Sequence, residues 1–208
     1  MMNLKKLKQA EEAFLKRYPG GFNNPEMVAI GKKHRVDKMV IITQESFSKV
    51  NFKTPETILE NMIKIISRSS MVSVFEKPKF RDFANSLILQ EKEAFVSGLK
   101  ERLYGKEQQG FEIMLDVLKS EKLAKWPLIT VFPAYFFPQT DVFVKPTTTK
   151  GIIEFFELKS LEYKPTPTWA FYEEYRAVIN GMKSQVDSSL SPTNAAFSGF
   201  LMMSLENK

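Results

Sequence analysis

The chain of 208 residues contains no cysteine, which excludes disulfide staples, thiolate nucleophiles and every cysteine-ligated metal site. It has a single histidine, His34, so no two-histidine metal site can be built and a Ser-His-Asp triad could run only through that residue. Glycine is sparse, nine residues lying mostly at the ends of helical patterns. Neither a Gly-x-x-x-x-Gly-Lys-Ser/Thr loop nor a Gly-x-Gly-x-x-Gly turn occurs, which removes both common nucleotide signatures. No Asp-x-Asp or Glu-x-x-His spacing offers a carboxylate metal cage, and neither metal nor cofactor is expected. No apolar run reaches the roughly 20 uninterrupted residues of a membrane helix. The first residues mix lysines with an acidic amphipathic pattern where a secretory signal would have a continuous apolar core. No membrane association is expected, and the cytoplasm is the expected location.

What the chain has in abundance is aromatic surface: 18 Phe, 6 Tyr and 2 Trp, half of them between Trp126 and Tyr175. The densest stretch runs from Trp126 to Phe137. No charge occurs between Lys125 and Asp141, yet Pro127, Pro133 and Pro138 each remove a backbone donor. Residues 126–146 therefore read as a proline-interrupted buried segment, a short broken helix leading into an extended piece, Val142 to Lys145, with Asp141 at the hinge. Carbonyls freed by the prolines are expected to attract water or ligand, which makes this stretch the expected wall of any pocket.

Elsewhere the apolar residues recur at three and four residue spacing, as in Leu4, Leu7, Phe14 or Ile58, Leu59, Met62, Ile65, Ile66, the mark of amphipathic helices. Asn24, Thr54, Thr166 and Ser191 each precede a proline, a capping residue followed by proline being a helix-start signal. These features predict an all-α fold, one domain over 1–208, with about eight to ten helices. Basic helices occupy 1–38 and an aromatic-rich half occupies 126–208. The run Met39 to Phe47 fits strand or buried helix by pattern alone.

Net charge is +6. Residues 1–38 hold nine Lys/Arg against four Asp/Glu, 39–125 fourteen against twelve, and 126–208 seven against eight, so the excess is N-terminal. Lys5, Lys6, Lys8, Lys32, Lys33 and Arg35 are therefore candidates for gripping nucleic acid or an acidic protein partner; a solvated helix face is the plainer reading. Lys145, Thr149 and Lys150 stand at the mouth of a new helix, where free N–H groups favour an anion or simply need a cap. Arg176 with Tyr172 and Tyr175 offers a cationic and aromatic grip for a phosphate or base, the same tyrosines being equally suited to a core. Asp141 is the candidate catalytic carboxylate, because burial after a long uncharged run would suit it to acid or base work; bonding nearby backbone N–H groups in a turn is its structural alternative.

From Pro138 to Phe156 the chain resembles the closing part of helix-hairpin-helix DNA glycosylases, in which an Asp follows a proline-containing hydrophobic segment and precedes a helix. The resemblance covers about twenty residues, and the glycine-bearing DNA hairpin of that family has no counterpart upstream of Trp126. It implies a base-excision role for Asp141. Three functions are thus expected in order: nucleic-acid-associated binding through the basic N-terminal helices, a small-pocket enzyme using Asp141, and a protein–protein adaptor.

Overall fold

The computed structural model describes residues 2–205, with eleven α-helices and no strand among the described residues. In order they are α1 (Leu4–Arg17), α2 (Pro25–His34), α3 (Val36–Ser46), α4 (Pro55–Arg68), α5 (Glu76–Ser86), α6 (Leu89–Tyr104), α7 (Glu107–Ser120), α8 (Trp126–Phe136), α9 (Pro146–Phe155), α10 (Trp169–Lys183) and α11 (Asn194–Leu205). The count slightly exceeds expectation because two ambiguous stretches separate into distinct helices. Met39 to Phe47 lies in and just beyond α3. The stripe from Phe80 to Tyr104 breaks at Leu87 and Ile88, which are extended, and the Glu91 carboxylate accepts from the Ile88 N–H. No described helix is long and apolar enough to cross a membrane.

The proline starts divide into two groups. Asn24 caps α2 by accepting from the Glu26 N–H, and Pro25 is its first helical residue; Pro55 opens α4, though Thr54 makes no side-chain cap bond. The starts read at Thr166 and Ser191 lie two residues early. Thr168 caps α10 and the Thr193 hydroxyl accepts from the Ala196 N–H, so the nearer hydroxyl takes the capping role and the prolines stay outside both helices.

Helix α8 fills the centre, and Trp126 to Pro133 are buried without a break. Pro133 sits inside the helix and costs it one rung of hydrogen bonding. The Phe132 ring meets Phe47 at 5.8 Å and Phe80 at 6.1 Å, edge or tilted arrangements that aromatic quadrupoles favour. On the other side Trp126 meets Phe111 at 6.4 Å and Phe171 at 5.2 Å. A third aromatic group, Phe14, Tyr18 and Phe200, joins α1 to α11.

After α8 the chain is extended as expected, and the protein itself satisfies several of its backbone groups. Gln44 Nε2 donates to Phe136 O, the Asn194 N–H to Pro138 O, Lys183 to Gln139 O, Asn180 Nδ2 to Thr140 O and Asn194 Nδ2 to Asp141 O. Thr130 Oγ1 accepts from the Val144 N–H and donates to Trp126 O. Side chains of α3, α8, α10 and α11, with the Asn194 N–H, thus satisfy backbone groups between Phe136 and Val144, as buried backbone requires.

Candidate functional site

Two concentrations of charge stand out, and they differ in every respect that matters for binding. The first surrounds Asp141. It begins with a helix crossing: a Cβ added at Gly110 of α7 would lie 2.2 Å from Arg102 N and 2.5 Å from Gly98 O on α6. Only glycine permits that approach, and the approach buries Arg102 to 1% exposure. Arg102 falls on the apolar stripe Phe95, Leu99, Leu103 of α6, so its guanidinium projects into the interior and needs a counter-charge.

Asp141, 3% exposed, supplies it. Its Oδ1 accepts from Arg102 Nη2, from Tyr172 Oη at 2.7 Å and from Arg176 Nη1 at 3.4 Å. Glu107, the first residue of α7, accepts through Oε2 from Arg102 Nη1 at 3.2 Å and Arg176 Nη1 at 2.6 Å. Both guanidinium groups lie within 5.5 Å of the Trp169 and Tyr172 ring centroids, a cation–π arrangement that adds to the ion pairs. Two cations and two anions balance. Burial raises the Tyr172 hydroxyl above its ordinary pKa, and the Asp141 charge raises it further. Burial opposes the Arg176 charge, but the hydrogen bond to Glu107 and the charge of Asp141 outweigh it and hold that guanidinium above its usual value.

Of the residues singled out in the sequence, Asp141 and Arg176 meet here, and Tyr172 joins them. Tyr175 lies apart: it is fully buried, and burial pushes its pKa up to about 12; Thr149 is likewise buried, in α9. Lys145 and Lys150 are exposed at the start of α9, Lys150 lying 5.1 Å over the Tyr163 ring. No bond among the described residues links them to Asp141. Arg102 and Glu107 were missed by the sequence reading. The signal for Arg102 was present, an arginine at a core position of a helical stripe opposite a glycine.

The second concentration is the elbow between α2 and α3. Arg35 adopts φ 52°, ψ 32°, ending α2 and beginning α3 in the left-handed region, a conformation costing a non-glycine residue roughly 1–2 kcal/mol. The elbow is pinned to the end of α4: Ser70 Oγ donates to His34 O at 3.2 Å and lies 3.2 Å from His34 Nδ1. With α4 packed against α3, Arg68 stands beside Arg35 and Lys38. The three cations line a cleft of about 320 Å³ floored by Met39 and Ile42. Lys32 and Lys33 are exposed on the last turn of α2. None of these five cations has an ion-pair partner among the described residues.

The lysines of α1 are placed differently. Lys6 pairs with Glu157 at 2.8 Å and lies over Phe155, and Lys8 pairs with Glu11 at 2.8 Å. Lys5 is exposed. On α2 only Met27 is buried, and Val28 and Ile30 are exposed. No protein-family model, curated protein or solved structure matches the chain.

Proposed function

We propose that the protein binds nucleic acid through the α2–α3 elbow, with Arg35, Lys38 and Arg68 around the cleft and Lys32 and Lys33 at its rim. The observation carrying this reading is the unpaired charge of the cleft. Other surface cations also lack an ion-pair partner among the described residues but do not line this cleft, whereas Lys6, Lys8, Arg102 and Arg176 are matched with carboxylates. These five are not, and unpaired cations concentrated on one face release counterion from a phosphate backbone when they bind it. A strained basic residue at the cleft's edge supports the same reading, because such strain persists where function needs it.

The expected catalytic role of Asp141 has weaker support. Its Oδ1 serves three donors at once, Arg102, Tyr172 and Arg176. Its reading as the charge centre of the core is favoured by that geometry. Fluorescence anisotropy with labelled single- and double-stranded DNA and RNA at low salt tests the binding proposal. Wild type should bind at least one of them, and the Arg35→Ala/Lys38→Ala/Arg68→Ala variant should lose most of the affinity. Absence of binding to all four would sink the proposal and leave an adaptor role.

A further inference from the structure

The two core arginines hold more donors than the protein's own acceptors use. A guanidinium carries five N–H groups. Arg102, although 1% exposed, has its Nε without any partner, and an unmet donor in the interior is costly. The acceptor that faces both arginines from the outside is Glu107, whose side chain is 45% exposed while those of Arg102 and Arg176 are 1% and 19% exposed. Donors thus form the floor and Glu107 forms the mouth. Its bonds to the two arginines end on one oxygen, Oε2, which leaves Oε1 with no partner among the described residues. Glu107 is the first residue of α7, after a Lys106 cap whose side chain makes no bond to the helix, so the carboxylate can swing to water without disturbing helical rungs. The floor cannot follow it, because Trp169, Tyr172 and Asp141 hold both guanidinium groups in place.

We propose that Arg102 and Arg176 form a carboxylate-binding site, independent of the elbow, whose mouth is occupied by the chain's own Glu107. A ligand carboxylate that displaces Glu107 takes the same two donors, Arg102 Nη1 and Arg176 Nη1, as a charge-assisted pair of hydrogen bonds, and the Arg102 Nε is not part of that pair. The site is pre-organised by stacking, so little ordering accompanies binding. Glu107 competes with the ligand and sets the threshold concentration.

The test is thermal unfolding of wild type, Glu107→Ala and Glu107→Ala/Arg176→Met in formate, phosphate and chloride at matched ionic strength. In chloride, Glu107→Ala should melt below wild type. Formate at roughly ten times its Kd should raise the Tm of Glu107→Ala by about 3–5 °C over chloride, with a smaller rise in wild type and none in the double variant. An equal response of wild type and Glu107→Ala, or none in either, overturns the site. A response to phosphate without one to formate overturns the carboxylate assignment. Should the variants fail to fold, NMR of the arginine Nε–H groups in wild type decides: saturable movement of the Arg102 and Arg176 resonances with formate and not chloride supports the proposal, and unmoved resonances refute it.

Discussion

Arg102 and Arg35 are the same residue type at the two ends of one physical scale. Arg102 is enclosed by a carboxylate, two aromatic rings and a helix crossing that only glycine allows. Arg35 stands in water on a left-handed elbow with two further unpaired cations beside it. The comparison teaches that charge alone does not mark a binding surface. A buried arginine that loses its carboxylate is left uncompensated in low dielectric, so the core region should answer substitution with stability. The elbow charges are already solvated, so that region should answer with affinity.

The largest effects are therefore expected in the core. Phe132→Ala removes a fully buried ring from between Phe47 and Phe80 and should cost about 3–5 kcal/mol in denaturant unfolding. Asp141→Asn should also cost about 3–5 kcal/mol, since it leaves the buried Arg102 with only the half-exposed Glu107 as counter-charge. A harmless Asp141→Asn would erase the distinction between the two regions and reopen the catalytic reading. Gly110→Ala places a methyl against the α6 backbone and should cost about 1–3 kcal/mol by overpacking, with the near-ultraviolet signal of Trp169 changing as the arginine layer shifts.

Alkaline pH sharpens the same comparison. Burial raises Tyr172, aided by the Asp141 charge, and burial pushes Tyr175 up to about 12. Both tyrosines keep their protons more tightly folded than unfolded. Their contribution is complete below the unfolded value of about 10 and is lost as pH rises through the folded values. Unfolding free energy should hold level to about pH 9. Above about pH 10 it should fall, each such tyrosine adding up to about 1.4 kcal/mol per pH unit, and Tyr172→Phe should reduce the slope by about that amount.

The smallest stability effect, and the most telling in sign, belongs to the elbow. Arg35→Gly relieves the left-handed strain and should stabilise the protein by up to about 1 kcal/mol, while affinity for nucleic acid falls. Loss of stability without loss of affinity would mean that Arg35 serves the fold.

The helical architecture was legible because periodicity and capping are local. Asn24-Pro25 and Thr54-Pro55 located two helix starts correctly, whereas Thr166-Pro167 and Ser191-Pro192 misplaced theirs by two residues because a second hydroxyl lay within reach. Asp141 was legible because it ends an uncharged run. Its partners were not: Arg102 is 39 residues away and Glu107 is a first-turn acid like many others. The elbow was half legible. Lys32, Lys33 and Arg35 adjoin in sequence, but Arg68 comes from α4, which packs against α3 and is tied to His34 through Ser70. The basic face expected over the whole N-terminus contracts, since Lys6 and Lys8 are taken up by neighbouring carboxylates.

The salt dependence of nucleic-acid affinity tests the central claim most directly. Plotting log affinity against log salt for wild type and for Arg35→Ala/Lys38→Ala/Arg68→Ala should give a steep negative slope that flattens by roughly two to three in the variant, about 0.7–0.9 for each lost phosphate contact, with the unfolding midpoint unchanged. A slope that stays the same after all three cations are removed would contradict the assignment of the elbow as the binding surface.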